Sequence, residues 1–438
     1  MTYSEIVKSK LTEIIKEMQQ SPELFVKNPG KDFTRNRKLS FDQMINLILS
    51  MGGNSLNIEL LKHFDYDIET SSASAFVQQR DKLIPFTFEF LLHEFTSSFV
   101  DLKTYESYRL LAVDGSTLNI AHNPKDVDTY FDSKAGATAK GFNQLHLNAM
   151  YDLCNKIYVD ALVQPGRKLN EFRALTDMVD RSDIVGNVIL LADRGYESYN
   201  VFAHLEQKGW NYAVRVKDIG SNGILASLKL PSSEEFDTIV NLTLTRKQTN
   251  EVKSRPDLFK RLPNNSTFDY LDLCENPFYP ISFRVVRFKL SDDSYETLIT
   301  NLDRFSFPLM KMKELYHLRW GIETSFRELK HTLGLDCFHS KKTDYISQEI
   351  FARLTMYNFC ELITMNVVVT QKDTKHIYQV NFTAAIHICI RFFKSRNDID
   401  PPDVEALILK FILPVRPGRS DPRKVKSRSV VSFNYRVA

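Results

Sequence analysis

Two short apolar runs that each end in aspartate, "YRLLAVDGS" up to Asp114 and "NVILLADRGY" up to Asp193, constrain the fold more than any other feature of the chain. Such a run has no polar face, so as a strand it must be covered on both sides, which happens in sheets that carry helices on both faces. Between the two runs, "LHLNAMYDL" and "KIYVDALVQ" read as a hairpin around Cys154 and Asn155, and "EFRALTDMVDRS" has helical spacing. A helix, "YNVFAHLEQKG", and a strand, "WNYAVRVK", follow the second run. The order is three strands, helix, strand, helix, strand.

That order predicts an α/β protein with a ribonuclease H-like mixed sheet core over residues 106–217 and 296–340. Residues 1–105 read as a helical N-terminal domain, with "SFDQMINLILSMGG" and "SASAFVQQRDKL" showing start and stop signals. Residues 218–295 turn to β-rich stretches such as "ISFRVVRFKL" between Pro- and Asn-rich loops and read as a β-rich insertion. Residues 341–438 read as covering helices followed by a basic tail, in which Arg416, Arg419, Arg423, Lys424, Lys426 and Arg428 stand against Asp421.

At 438 residues, 43% hydrophobic and 25% charged, the chain has the make-up of a soluble globular protein with room for about three domains. Its net charge of +3 is too small to mark the whole molecule as a nucleic-acid binder, so local clustering carries the information. Five cysteines without a CxxC pair argue against a structural zinc site and a disulfide framework. A polar start and the lack of an uncharged run of roughly 18 residues point to a cytoplasmic protein with no membrane segment.

The chemistry centres on "YHLRWGIETSFRELKHTLGL", Tyr316 to Leu335. Read as one helix at about 100° per residue, it places Tyr316, Arg319, Glu323 and Lys330 on one face, with Arg327 beside them and an apolar stripe alongside. Asp114 and Asp193 are each expected at the C-terminal end of a buried strand, where open α/β sheets place ligand-contacting groups. With Glu323 projecting from a helix packed on the sheet, three acids are expected to converge, and their repulsion calls for a cation. Hard carboxylate oxygens suit Mg²⁺ or Mn²⁺. Two such ions would serve in-line displacement at a phosphodiester. An Asp before Gly is most often a turn former, however, and Glu171, Asp152 and Asp160 compete for the same role. Trp320 reads as a packing aromatic or a base-stacking one, Arg194 as an ion-pair partner or a substrate contact, and His146, His204 and His331 as structural or solvated.

Taken together, these residues resemble the DDE transposases of bacterial insertion sequences, in the subgroup with a β-strand insertion before the final Glu. That family carries Tyr, two residues, Arg, three residues, Glu, six residues, Lys, as in Tyr316, Arg319, Glu323 and Lys330 here. "AVDGS" and "ADRGY" also match its two Asp strings. The resemblance implies that Asp114, Asp193 and Glu323 bind two Mg²⁺ or Mn²⁺ ions, and that Tyr316, Arg319 and Lys330 hold phosphates at a transposon end. It also implies cut-and-paste strand cleavage and transfer, double-stranded DNA with terminal inverted repeats as partner, a homodimer in the DNA complex, and a bacterial protein that joins the nucleoid when bound. The alternative is a transposase-derived DNA-binding protein that no longer cuts. The insertion lacks the Trp with which some relatives trap a flipped base, leaving Tyr270, Phe278, Tyr279 and Phe288 as substitutes. Arg80 and Lys82 are expected to touch phosphates from the helical N-terminal domain.

Overall fold

A computed structural model describes residues 1–132, 141–226, 228–291, 294–369, 377–395 and 402–415; the basic tail from Arg416 onward lies outside the described residues. Five helices come first: α1 (Tyr3–Gln20), α2 (Phe41–Ser50), α3 (Leu56–His63), α4 (Ala73–Arg80) and α5 (Phe86–Ser97). The core then runs β1 (Arg109–Ile120), β2 (Tyr130–Phe131), β3 (Phe142–Asp152), β4 (Ile157–Pro165), α6 (Glu171–Arg181), β5 (Val188–Ala192), α7 (Tyr199–Gln207) and β6 (Asn211–Val216). Apart from the two-residue β2, this is the order expected from the apolar runs. The inserted stretch forms β7 (Phe236–Thr245), α8 (Asn250–Ser254), β8 (Phe259–Arg261) and β9 (Phe278–Ser291). After it come β10 (Ser294–Thr300), α9 (Leu309–His317), α10 (Trp320–His331), α11 (Thr343–Thr364), β11 (Tyr378–Gln379), α12 (Phe382–Lys394), α13 (Val404–Lys410) and β12 (Leu413–Pro414).

One sheet holds β1 to β10 in the order β2-β3-β1-β5-β6-β10-β9-β7-β8, with β4 also on β3. β1 lies antiparallel to β3 and parallel to β5, and β5 is parallel to β6, the ribonuclease H-like arrangement. Side chains alternate across each strand. Leu111 and Val113 of β1 pack with α6 and α7 on one face, whereas Leu110 and Ala112 face the helices on the other. No described helix is long and apolar enough to cross a membrane.

Two features differ from the sequence expectations. The inserted strands do not fold apart from the core: β9 runs antiparallel to β10, with Ile299 opposite Val285, and so extends the same sheet. Phe288 is consequently fully buried and is no base-stacking candidate. The N-terminal helices likewise share one apolar core with α10 to α13 and with β1, β3 and β4, centred on α11, which is buried along nearly its whole length.

Arg80 is part of that shared core, which corrects its reading as a phosphate contact. It is 1% exposed, and its guanidinium donates to Gln348 Oε1 at 2.9 Å, to Glu349 Oε1 at 2.8 Å and to the Tyr345 carbonyl. Glu349 is also bound by His339 and Arg353; burial pushes its carboxyl up, but the Arg80 guanidinium foremost, together with these two partners, holds it far below the usual range. The partners of Arg80 come from α11, too distant in sequence for local spacing to reveal them. Lys82, by contrast, remains half-buried, its ammonium 5.2 Å from the centre of the Phe33 ring.

Candidate active site

The two aspartates are brought together by strand register. Val113 of β1 pairs with Ala192 of β5 in parallel, so Asp114 and Asp193 each follow one member of the same pair. Neighbouring strands lie about 4.8 Å apart, so the two residues leave the sheet side by side. β5 ends there, but β1 does not: Asp114 pairs onward with Ala149 of β3, and the strand continues to Ile120. The Asp-Gly pair is therefore not a turn. Gly115 has a different reason to be glycine, because a Cβ there would lie 2.3 Å from His146 Nε2 and 2.7 Å from Glu171 Oε1. Each aspartate is fixed by a nearby amide, Asp114 Oδ1 accepting from Gly115 N–H at 2.8 Å and Asp193 Oδ1 from Gly195 N–H at 2.7 Å.

The third acid arrives on a jointed helix. Where the sequence reads as one helix, α9 and α10 meet at Leu318 and Arg319 through hydrogen bonds of three-residue reach, Leu318 to Leu315, Arg319 to Tyr316, Gly321 to Leu318 and Ile322 to Arg319. Such bonds tighten the turn relative to an α-helix. Leu318, at the joint, is 42% exposed, while Leu315, Ile322, Phe326, Leu329 and Leu333 are buried. Gly321 lets the joint sit on β3's neighbourhood, since a Cβ there would lie 2.7 Å from a Leu153 methyl.

Beyond the joint, Arg319 donates to Glu323 Oε1 at 2.7 Å and is itself 3% exposed, with its Nε buried and without an acceptor among the described residues. Lys330 Nζ donates to the Thr117 carbonyl of β1 at 3.2 Å, and burial pushes its ammonium below the ordinary lysine value. Tyr316 differs from expectation. It is buried, and its hydroxyl donates to the Ala192 carbonyl at 3.1 Å, the residue before Asp193. Its phenol proton is thus committed to backbone, and it fastens α9 to the end of β5 rather than presenting a free donor.

The three acids lie in one another's electrostatic field. Burial raises the Asp114 carboxyl to about 6; the Gly115 amide and Arg319 oppose that rise, and the charges of Asp193 and Glu323 add to it. The expected cage is nevertheless open: among the described residues, no three His, Cys, Asp or Glu side chains stand close enough together to hold a metal ion between them. Glu323 is engaged by Arg319 instead.

Around this centre, Arg194 and Arg327 are exposed and carry no ion pair among the described residues, and Trp320 is 49% exposed with the Arg319 guanidinium 5.5 Å from its ring centre. Asp152 and Asp160 drop out as competitors: the first pairs with Arg109 and Asn155, the second with Arg181 and His93. Glu171 does not drop out. Its Oε1 is 3.0 Å from His146 Nε2, over Gly115, and its Oε2 would be 3.4 Å from a Cβ at Gly195. In the sequence the only signal for this pair is an Asn-Glu helix start at residues 170–171; the placement of His146 follows from its pairing with Thr117.

Two known proteins and one family model are similar to this chain. Transposase InsG for insertion sequence element IS4, from Escherichia coli, is 28% identical over 143 residues, a match that spans 30% of this chain and 32% of that protein, about a third of its length. The cryo-EM structure of the piggyBac transposase synaptic complex with hairpin DNA aligns over 94% of this chain and 84% of that one, with a TM-score of 0.45 at 12% identity. The family model of the transposase DDE domain matches residues 105–359, a span that contains Asp114, Asp193 and Glu323 and more than half of the sequence, and the chain belongs to that family.

Proposed function

We propose that the chain is a metal-dependent transposase that cuts DNA at the ends of its own element and joins the freed ends to target DNA, by cut-and-paste. The observation that most supports this is the register that sets Asp114 beside Asp193, with Glu323 close enough on α10 to raise the Asp114 carboxyl. A set of hard oxygens, with the half-buried Asp114 among them, fits a divalent cation. Asp114, Asp193 and Glu323 would hold two Mg²⁺ or Mn²⁺ ions, which supply activation of the attacking oxygen and stabilisation of the leaving one at a phosphodiester.

The other residues then have distinct tasks. Arg319 neutralises Glu323 and holds its carboxylate in place through a charge-assisted hydrogen bond, and at 3% exposure it is not itself a phosphate contact. Lys330, Arg194 and Arg327 add positive charge along the backbone of double-stranded DNA, and the exposed face of Trp320 can stack on a base. Residues 1–105 would read the terminal inverted repeat, with Lys82 in contact with phosphate, and a homodimer would bring two ends together.

Incubation with Mg²⁺ and DNA carrying the flanking repeats tests the proposal, with nicking at the element end and strand transfer as the expected products. Binding without cutting in both Mg²⁺ and Mn²⁺ would point instead to a DNA-binding descendant. Glu323→Ala should abolish both products while leaving repeat binding within about twofold; a mutant that cuts at the parental rate would remove Glu323 from the site.

A further inference from the structure

On the face of the sheet opposite α10, a second set of polar groups reaches the same two strand ends. Gly115 opens the way. Its missing side chain lets His146 Nε2 and Glu171 Oε1 lie directly over the β1 backbone, one residue past Asp114. The other Glu171 oxygen reaches toward Gly195, whose amide holds Asp193. One carboxylate thus touches both segments that carry the aspartates, and it stands at the first position of α6, behind the Asn170 cap.

Two buried polar atoms near Glu171 have no hydrogen bond among the described residues. His146 is 6% exposed, and although its Nε2 lies 3.0 Å from Glu171 Oε1, the angle makes no hydrogen bond. Tyr196 is 1% exposed, and its hydroxyl, without a hydrogen bond among the described residues, lies in the combined field of Glu171, Asp114 and Asp193. Buried polar groups are normally satisfied, so two orphans at one spot mark a place built for something further. Three carboxylates surround them, and no lysine or arginine pairs with Glu171 among the described residues, which gives that something a positive charge.

We infer that Glu171 is a fourth carboxylate of the divalent-cation site, reaching it from the α6 side of the sheet, with His146 as its positioning residue. The inference rests on the proposed binding of cations by Asp114 and Asp193. Mg²⁺ keeps several of its waters when bound, so a carboxylate need not be within direct reach to add affinity.

Mn²⁺ binding to the full chain without DNA, followed by titration calorimetry, tests this. Glu171→Gln should weaken binding about tenfold, the low end for a group that supports a metal ligand. Asp193→Asn is the reference and should weaken it at least as much. If Asp193→Asn loses affinity and Glu171→Gln does not, Glu171 lies outside the site and the inference falls while the proposed function stands. If neither loses affinity, the reading of the aspartates as cation ligands falls as well. Should Glu171→Gln not fold, Glu171→Asp decides, since it keeps the charge and withdraws it by one methylene: a severalfold loss is expected, and parental affinity overturns the inference.

Discussion

Removing Arg80 separates a structural guanidinium from a DNA-binding one. The side chain is buried in a cluster with Glu349, His339 and Arg353, and it donates to three acceptors on α11. Breaking a buried ion pair by removing one partner costs about 3–5 kcal/mol, because the other charge stays behind without water. Here Glu349 keeps Arg353 as an ion-pair partner and His339 as a hydrogen-bond partner, which places Arg80→Met near the lower end, about 3 kcal/mol. For 438 residues the entropy of unfolding is about 0.9 kcal/mol per kelvin near the midpoint, so the melting temperature should fall by about 3–4 °C. The loss should hardly change between 0.05 and 0.5 M salt, since buried pairs are little screened. Arg80→Met combined with Glu349→Gln should recover part of the loss, because the second change removes the stranded charge. Thermal unfolding and a DNA titration on the same samples give the answer. A variant that melts like the parent but binds DNA more weakly, with a salt dependence reduced by about one unit, would refute the structural assignment.

Asp114→Asn should abolish strand cutting and yet stabilise the chain in chelator at pH 7.5. The folded carboxyl is raised from 3.8 to about 6, so stability is lost as pH rises through that window, up to about 3 kcal/mol, and the amide avoids the loss. Equal melting temperatures at pH 7.5 would contradict this. Glu361 behaves in the same sense: burial and the Glu328 charge raise its carboxyl to about 8 against Lys156 and the Tyr357 hydroxyl, so the folded protein holds the proton between about 4.5 and 8 and loses stability as pH climbs through that range. Glu361→Gln should flatten the pH profile of stability there, by up to about 5 kcal/mol at its upper end, and an unchanged slope in urea unfolding at several pH values would rule the effect out. Lys330→Ala should lower the salt dependence of DNA binding by about one unit of slope, which a titration at four salt concentrations measures; an unaltered slope would leave Lys330 as a tether to Thr117 alone.

The core strands were legible because each is a short apolar run bounded by polar or glycine residues, and the register that joins Asp114 to Asp193 needs only that two such runs lie parallel. What stayed hidden depends on partners far away in the chain. The burial of Arg80 needs Gln348 and Glu349, and that of Phe288 needs β9 to pair with β10. His146 and Glu171 reach the site only through the pairing of β3 with β1 and the gap left by Gly115. Gly115 itself was misleading: Asp followed by Gly signals a turn from local preference, whereas here close approach of other side chains demands the glycine.

The four spaced residues of α9 and α10 also divide in a way that spacing alone does not show. The outer two, Tyr316 and Lys330, both donate to backbone carbonyls, at Ala192 on β5 and at Thr117 on β1, one just before Asp193 and the other three residues beyond Asp114. The inner two, Arg319 and Glu323, bond to each other between those anchors. Two tethers on two different strands fix both where the helices sit and how they are rotated, and a rotamer-rich side chain like that of Glu323 then has little freedom left. The role proposed for Glu323 requires that it be held within about half an ångström of its productive place. A helix fastened at both ends to the same strands that carry the aspartates meets that demand, with the tight joint at Leu318 and Arg319 setting the angle between them.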